Sequence, residues 1–517
     1  MTQTTATRAV LPADDATARA GAAPDGSRRW WGLAVLGLSQ LIVLLDGTVV
    51  NIALPSAQAD LGIGDGARHW VVTSYALAFG GLLLLGGRIA DLVGRKRSFL
   101  TGVAGFGLAS AVAGAADGAG MLFAGRALQG AFAALLVPAA MSLLTTTFTD
   151  PRERGRAFGV FGAIAGAGAA LGLLVGGIVT EYLDWRWCMY IAVPVEVIVL
   201  VAAVPLLRDP GRRTGGRLDV TGAALGTAGL AAIVYGFGEA ESRGWDDPLV
   251  LGLPAGGAAL LALFVLWQSR VAHPLLPLRV VRDRRRAGAF LTAGLAPVAM
   301  FGLFLFMTYY LQVILGYSAI RTGLAFLPLT ASMIVSSTQI AARLAGFVAP
   351  RLIVVPGLLL AAAGMLVLAQ VGTEAAYTTR VLPGLVLTGM GMGATMMTVM
   401  ATATAGVDPR DAGVTSAMVS TAQQVGGAVG TSVLNTVAAG AAAQWLAGHG
   451  STGDEVAARA EAAVHGFSTA LWGVAGLLVV TAVIAAVLLG EGRPGGGGGV
   501  SRRLVEGGGQ LGARTPE

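Results

Sequence analysis

Two charged residues stand inside otherwise apolar sequence and carry the first chemical clue. Asp46 lies in the run Leu45-Asp46-Gly-Thr48-Val-Val-Asn51-Ile-Ala-Leu54-Pro55, and Arg126 lies in Arg126-Ala-Leu-Gln129-Gly130, which leads to Pro138. A carboxylate at the centre of a membrane helix costs about 2.5–3.5 kcal/mol on insertion scales. Burial penalises the ionised form, so Asp46 is the group best placed to take up and release a proton. An Arg beside it would favour the charged carboxylate, and moving the Arg away would favour the proton. Thr48 and Asn51 are expected to hydrogen-bond Asp46 or a neighbouring helix. The bland alternatives are that Asp46 sits near a helix end in water and that Arg126 snorkels to the interface.

Other chemistries find no residues. A single Cys, Cys188, excludes an intramolecular disulfide, and four His leave little for a metal site. No G-x-x-x-x-G-K-[ST] loop is present to bind a nucleotide phosphate. No cluster of Cys, His and carboxylates has catalytic or metal spacing, so the chain is expected to be no enzyme and to need no cofactor. The net charge of +6 raises the question of nucleic acid, but the distribution of the cations answers it otherwise.

The elements that must hold these groups are membrane helices. Of the 517 residues 55% are hydrophobic and only 12% charged, with a mean hydropathy of +0.71. Glycine is abundant at 77 residues and sits within the apolar blocks, where it lets membrane helices pack closely. Apolar segments fall at 31–56, 69–90, 98–117, 121–147, 157–180, 187–207, 219–238, 248–268, 287–315, 322–342, 352–372, 381–404, 412–440 and 467–489, which predicts fourteen spans. Residues 1–28 and the Gly-rich 491–517 read as disordered tails, and no cleaved signal peptide precedes the first span. The stretch 441–465 reads as a short amphipathic helix on the outer face.

Cations test that count. Arg28 and Arg29, Arg88 to Arg97, Arg152 to Arg156, Arg208 to Arg217, Arg270 to Arg286, Arg343 and Arg351, and Arg410 fall in alternate loops. The other loops hold only Arg68, Arg186, Arg243, Arg321, Arg380 and Arg459. This bias orients both termini to the cytoplasm. The basic charge is thus an orientation signal facing lipid, not a nucleic-acid surface.

An internal repeat divides the spans. Arg88-Ile-Ala-Asp91-Leu-Val-Gly94-Arg95-Lys96 matches Arg343-Leu-Ala-Gly346-Phe-Val-Ala-Pro-Arg351. Arg126-Ala-Leu-Gln129-Gly130 matches Arg380-Val-Leu-Pro-Gly384, and Asp150-Pro-Arg152 matches Asp408-Pro-Arg410. The shared offset of about 255 residues is the mark of two parallel transporter repeats. The expected division is 29–207 and 286–490 as two six-helix bundles, with 208–285 supplying two inserted helices.

These motifs resemble the major facilitator superfamily and, within it, the fourteen-span drug:proton antiporter family, from about residue 30 to 490. The loop Gly87-Arg-Ile-Ala-Asp91-Leu-Val-Gly94-Arg95-Lys96 resembles the signature G-x-x-x-D-x-x-G-R-[RK]. Gly94 permits a tight turn there, and Asp91 can pair with cations as a cytoplasmic gate. The run around Asp46 resembles L-D-x-T-V-V-N-x-A-L-P, and Arg126 to Gly130 resembles R-x-x-Q-G. The glycines Gly168, Gly172, Gly176 and Gly177 resemble the seam typical of antiporters, although Ala169 and Leu173 stand where the family has prolines.

The resemblance implies an all-α integral membrane protein of the major facilitator fold, with two pseudo-symmetric six-helix bundles and two inserted helices. It implies proton-coupled export of hydrophobic or amphiphilic small molecules, such as antibiotics, driven by the proton gradient and performed by a monomer. The altered fifth span keeps open an importer or facilitator of a specific metabolite. Glu196 is one of few other carboxylates within the spans, which favours neutral, zwitterionic or weakly charged substrates. The near-absence of Lys and the excess of Ala and Gly point to a GC-rich bacterial genome and so to a plasma membrane.

Overall fold

The computed structural model describes residues 26–490 except 149, 209–218, 245, 273, 345–346, 374–376, 406, 408–411 and 450–454. Some helical side chains, Asp91 and many of those between 151 and 170 among them, also fall outside the description. Both tails, Asp408-Pro-Arg410, Gly346 and much of the basic loop before the insert therefore lie outside it.

Among the described residues every regular element is a helix. The first half contains α1 (Gly26–Leu61), α2 (Trp70–Val93), α3 (Arg95–Gly114), α4 (Ala119–Thr147), α5 (Pro151–Tyr182), the single turn α6 (Trp187–Tyr190) and α7 (Ala192–Leu206). The insert is the hairpin α8 (Val220–Arg243) and α9 (Pro248–Gln268). The second half contains α10 (Leu278–Arg282), α11 (Arg284–Leu295), α12 (Pro297–Tyr309), α13 (Ala319–Val335), α14 (Ala342–Leu344), α15 (Arg351–Leu368), α16 (Leu382–Thr404), α17 (Ala412–His449) and α18 (Glu455–Leu488). Widened π turns at Tyr310–Ile314, Ser336–Ala341 and Tyr377–Val381 adjoin α12, α13 and α16.

Local chemistry sets several boundaries. Gly94, at φ 112°, separates α2 from α3 in a conformation that suits glycine. Asp247 caps α9 by accepting the Leu249 amide at 2.7 Å, with Pro248 in the first turn. Asp283 caps α11 through the Arg286 amide at 2.9 Å.

Each of the fourteen expected segments falls on a helix. Twelve helices, counted among the described residues, are long and apolar enough to cross a membrane. The other two expected spans are α3 and α5. Three cations open α3, and small residues fill most of the rest, so its mean apolarity is low. In α5 only Leu171–Tyr182 qualifies, as a shorter apolar stretch. The short outer helix expected at 441–465 is not a separate element. The Ala-rich sequence instead prolongs α17 to His449, and α18 starts at Glu455 with a Glu455–Arg459 ion pair one turn apart.

The two halves repeat the same packing. In the first, α1 packs on α5, α2 on α4, α3 on α4, and α3 on α7. In the second, α12 packs on α17, α13 on α16, α15 on α16, and α15 on α18. Across the halves α2 meets α17 and α5 meets α13, and the inserted hairpin lies against α2 and α17.

Both described termini lie at one end, where Arg284 Nη2 donates to the Val487 carbonyl at 3.0 Å and Arg28 reaches the Pro205 carbonyl. At this terminal end the first half has its own apolar core, including Leu36, Phe99, Phe106, Leu143 and Phe148. At the opposite end one core runs from Val49, Ile52, Leu54 and Trp185 into Phe306, Leu358 and Phe467 of the second half.

Hydrogen bonds follow the same division. Gln312 Nε2 donates to the Ile52 carbonyl at 3.0 Å, the Ile320 amide to Glu181 at 3.0 Å, and Arg68 Nε to Asn435 Oδ1 at 3.0 Å. Tyr309 donates to Gln58 Oε1. The far end is therefore closed across the two halves.

Candidate functional site: a buried carboxylate–guanidinium cluster

Arg126 and Gln129, three residues apart, share one face of α4 and turn it toward α1. Arg126 Nη1 donates to Asp46 Oδ2 at 2.6 Å and to Gln129 Oε1 at 2.8 Å. Gln129 Nε2 donates to Asp46 Oδ1 at 3.0 Å and to Ser110 Oγ on α3 at 2.7 Å. Arg126 Nε donates to the Val71 carbonyl at 3.0 Å, and the guanidinium lies 4.6 Å from the centre of the Tyr75 ring. Asp46 is 2% and Arg126 1% exposed. Neither the solvated carboxylate nor the snorkelling arginine describes them.

Glycines make this convergence possible. A Cβ on Gly130 would strike the Tyr75 carbonyl and lie 3.0 Å from the Phe79 amide, so α4 approaches α2 closely beside the cluster. A Cβ on Gly125 would lie 2.9 Å from the Ala113 backbone, so α3 can bring Ser110 to Gln129. Gly130→Val should therefore separate α4 from α2 and destabilise the protein by about 1–3 kcal/mol, the usual cost of overpacking. A lowered Tm in detergent checks it, and wild-type Tm with wild-type transport would refute the packing account.

The other sequence-derived residues divide. Thr48 and Asn51 do not join the cluster. Thr48 Oγ1 donates to the carbonyls of Leu44 and Leu45, and Asn51 Nδ2 donates to the Gly47 carbonyl at 2.9 Å. Short polar side chains inside a helix satisfy themselves on the preceding turn, which corrects the expectation of an interhelical role.

Gly168, Gly172 and Gly176 pack α5 on α1, against Leu41, Thr48 and Val49. Gly177 turns instead to α13 of the other half, where a Cβ would lie 2.8 Å from Ile320 Cα. In the first turn of α3, Lys96 Nζ donates to the Val204 carbonyl at 2.7 Å, a bond within the first half. Gly87 faces Pro138, Arg95 has a partner of its own, and the Asp91 side chain lies outside the described residues.

Several groups were not singled out by the sequence. Ser110, Tyr75 and the Val71 carbonyl complete the Asp46 cluster. A cavity of about 450 Å³ lies at the far end, lined by Gln58, Asp65, Arg68, Tyr309 and Phe467 among others, beside the bonds that hold the two halves together there. Arg68 lies 4.3 Å from the centre of the Tyr309 ring. Of the aromatics considered as cavity residues, Tyr309 lines this space. Tyr310 and Phe326 are core residues, Tyr310 donating to the Gly372 carbonyl at 2.7 Å and Phe326 packing on Phe304.

What the cluster can do follows from its charges. An ion pair withdrawn from water is held by mutual attraction and by the hydrogen bonds that satisfy the remaining donors and acceptors. Through this one pair and its hydrogen bonds the cluster ties together α1, α2, α3 and α4.

Known proteins share both the sequence and the architecture. The puromycin resistance protein of Streptomyces alboniger is 55% identical over 466 residues, covering 89% of this chain and 92% of the relative. The cephamycin export protein of Amycolatopsis lactamdurans is 37% identical, covering 87% of this chain and 90% of the relative. Among solved structures, a bacterial homolog of the human lysosomal transporter Spinster, in an inward-facing and occupied conformation, superposes with a TM-score of 0.63 at 16% identity. That match covers 90% of this chain and 97% of the other. Residues 36–431 match the Major Facilitator Superfamily as a family. With two halves packed alike and that match across most of its length, the chain belongs to the major facilitator superfamily.

Proposed function

We propose that this multi-pass membrane protein is a proton-coupled exporter of hydrophobic or amphiphilic small molecules of the antibiotic type, working by alternating access. The observation that carries the reading is the Asp46–Arg126 pair, a titratable contact buried where four helices of one half converge. Names of relatives that denote puromycin resistance and cephamycin export support the substrate class.

In this reading the proton gradient is the energy source and the chain itself the working unit. It sits in a bacterial plasma membrane with the terminal end in the cytoplasm, in accord with the cation bias. The far end, closed across the halves, is then the outer face, and substrate is captured from the inside. Neutral, zwitterionic or weakly charged compounds suit a set of spans poor in carboxylates.

The competing reading is import or facilitated passage of a metabolite, favoured by an α5 that lacks the family's prolines and runs from Pro151 to Tyr182. Everted vesicles separate the two. An inward-acid gradient should drive accumulation of puromycin, used as the first probe, and a protonophore should abolish it. Accumulation indifferent to the gradient would end the coupling proposal, and gradient-driven uptake only into right-side-out vesicles would favour import.

A further inference from the structure

We propose that Glu196 is a second membrane-embedded proton-binding site, housed between α3 and α7 and one helical turn from the Ser110 end of the Asp46 cluster. The inference rests on the proton-coupled reading above and deepens it.

Glu196 is 2% exposed, and neither carboxyl oxygen has a hydrogen-bond partner among the described residues. Its neighbours on α7 explain the burial. Val197, Ile198, Val201 and Val204 form the exposed face, and Glu196 shares the opposite face with Ala192, Val199 and Ala203. It faces Gly107 of α3, where a Cβ would lie 3.4 Å from the Glu196 Cβ. Ser110 is three residues further along α3, the spacing that puts two side chains on neighbouring positions of one helix face. Ser110 Oγ accepts from Gln129 Nε2, the same amide nitrogen that also donates to Asp46 Oδ1.

No charged group described on the elements packed against α7 faces Glu196. On α1, Arg28 reaches the Pro205 carbonyl and Asp46 is engaged by Arg126 and Gln129. Asp60, at the far end of α1, binds Arg186. On α3, Lys96 binds the Val204 carbonyl, and Arg95 and Arg97 share its first turn at the terminal end. On the side of α6, Cys188 contacts Thr180, and Tyr190 lies against Gly114.

An ionised carboxylate without a counter-ion or donor is among the costliest groups to bury. In this conformation the pocket therefore holds the acid with its proton. A purely structural acid would still find an acceptor for its O–H, because unsatisfied buried donors are themselves costly. Glu196 finds none here. The group is suited to a cycle in which a second conformation brings water or a donor to the carboxyl. It then loses the proton, and it regains one on return to the closed pocket.

Purified protein in proteoliposomes decides the matter, with labelled puromycin as the probe and a pH dye inside the vesicles. Wild type should move protons against drug. Glu196→Gln should still perform drug-for-drug exchange, but its proton-to-drug ratio should fall by about one and its pH profile should lose one titration step. Glu196→Asp should restore the ratio with a displaced midpoint. An unchanged ratio and pH profile in Glu196→Gln would overturn the inference while leaving proton coupling intact. If Glu196→Gln does not accumulate, Glu196→Asp decides alone, since an aspartate that leaves the midpoint at the wild-type value marks the acid as structural. Wild type moving drug without protons would remove the foundation of both readings.

Discussion

Asp46→Asn should abolish proton-driven drug efflux. The amide keeps the size of the carboxyl but cannot carry the charge, so Arg126, 1% exposed, is left without a counter-ion. Breaking one partner out of a buried pair costs about 3–5 kcal/mol. Part of that is recovered here, because Arg126 keeps the Val71 carbonyl and Gln129 Oε1 as acceptors. The protein should therefore remain folded with a lower Tm, and host resistance should fall to that of cells without the transporter. Drug-coupled proton movement should vanish with it. Arg126→Ala should match this loss of coupling while leaving Asp46 hydrogen-bonded to Gln129. Efflux at the wild-type rate by Asp46→Asn would remove the carboxylate from the coupling step.

Locking the far end should stop transport just as completely. Tyr309 of the second half donates to Gln58 of the first, and both line the cavity at that end. A short bifunctional thiol reagent applied to the paired variant Gln58→Cys, Tyr309→Cys should reduce efflux to background. Either single variant treated alike should retain it. The background is clean, since Cys188 is buried and is the one cysteine in the chain. A cleavable linker should restore efflux on reduction. Undiminished transport by the cross-linked protein would mean that this end need not part during the cycle.

Much of this was legible because membrane burial restricts what a polar residue can do. Asp46 and Arg126 were singled out by the cost of burying a charge together with the motifs around them, and the structure joins them in one buried pair. The glycines at 168, 172 and 176 share a face by helical periodicity, and Gly177, one residue on, points elsewhere, as its contact with α13 shows. Other parts carried no signature. The Val71 carbonyl is backbone, and Ser110 resembles any other serine in an apolar helix. Thr48 and Asn51 misled because proximity in sequence to Asp46 says nothing about which carbonyl a short side chain will choose. The ties that close the far end join residues hundreds of positions apart, such as Arg68 and Asn435, and nothing local announces them. The reach of α17 to His449 was hidden by small residues that read equally well as helix or loop.

The inserted hairpin has a kinetic meaning. It is bonded to the first half through Thr227 Oγ1 and the Gly81 carbonyl, at 3.1 Å. It is bonded to the second through Thr436 Oγ1 and the Phe237 carbonyl, at 3.1 Å, and through Ser432 Oγ and the Val234 carbonyl, at 3.3 Å. Two bodies that counter-rotate can keep a third fixed to only one of them. If the halves rock as proposed, one set of these bonds yields in every cycle and its strength enters the activation barrier. Loss of the two additional helices should then be felt in the speed of transport before it is felt in what is bound.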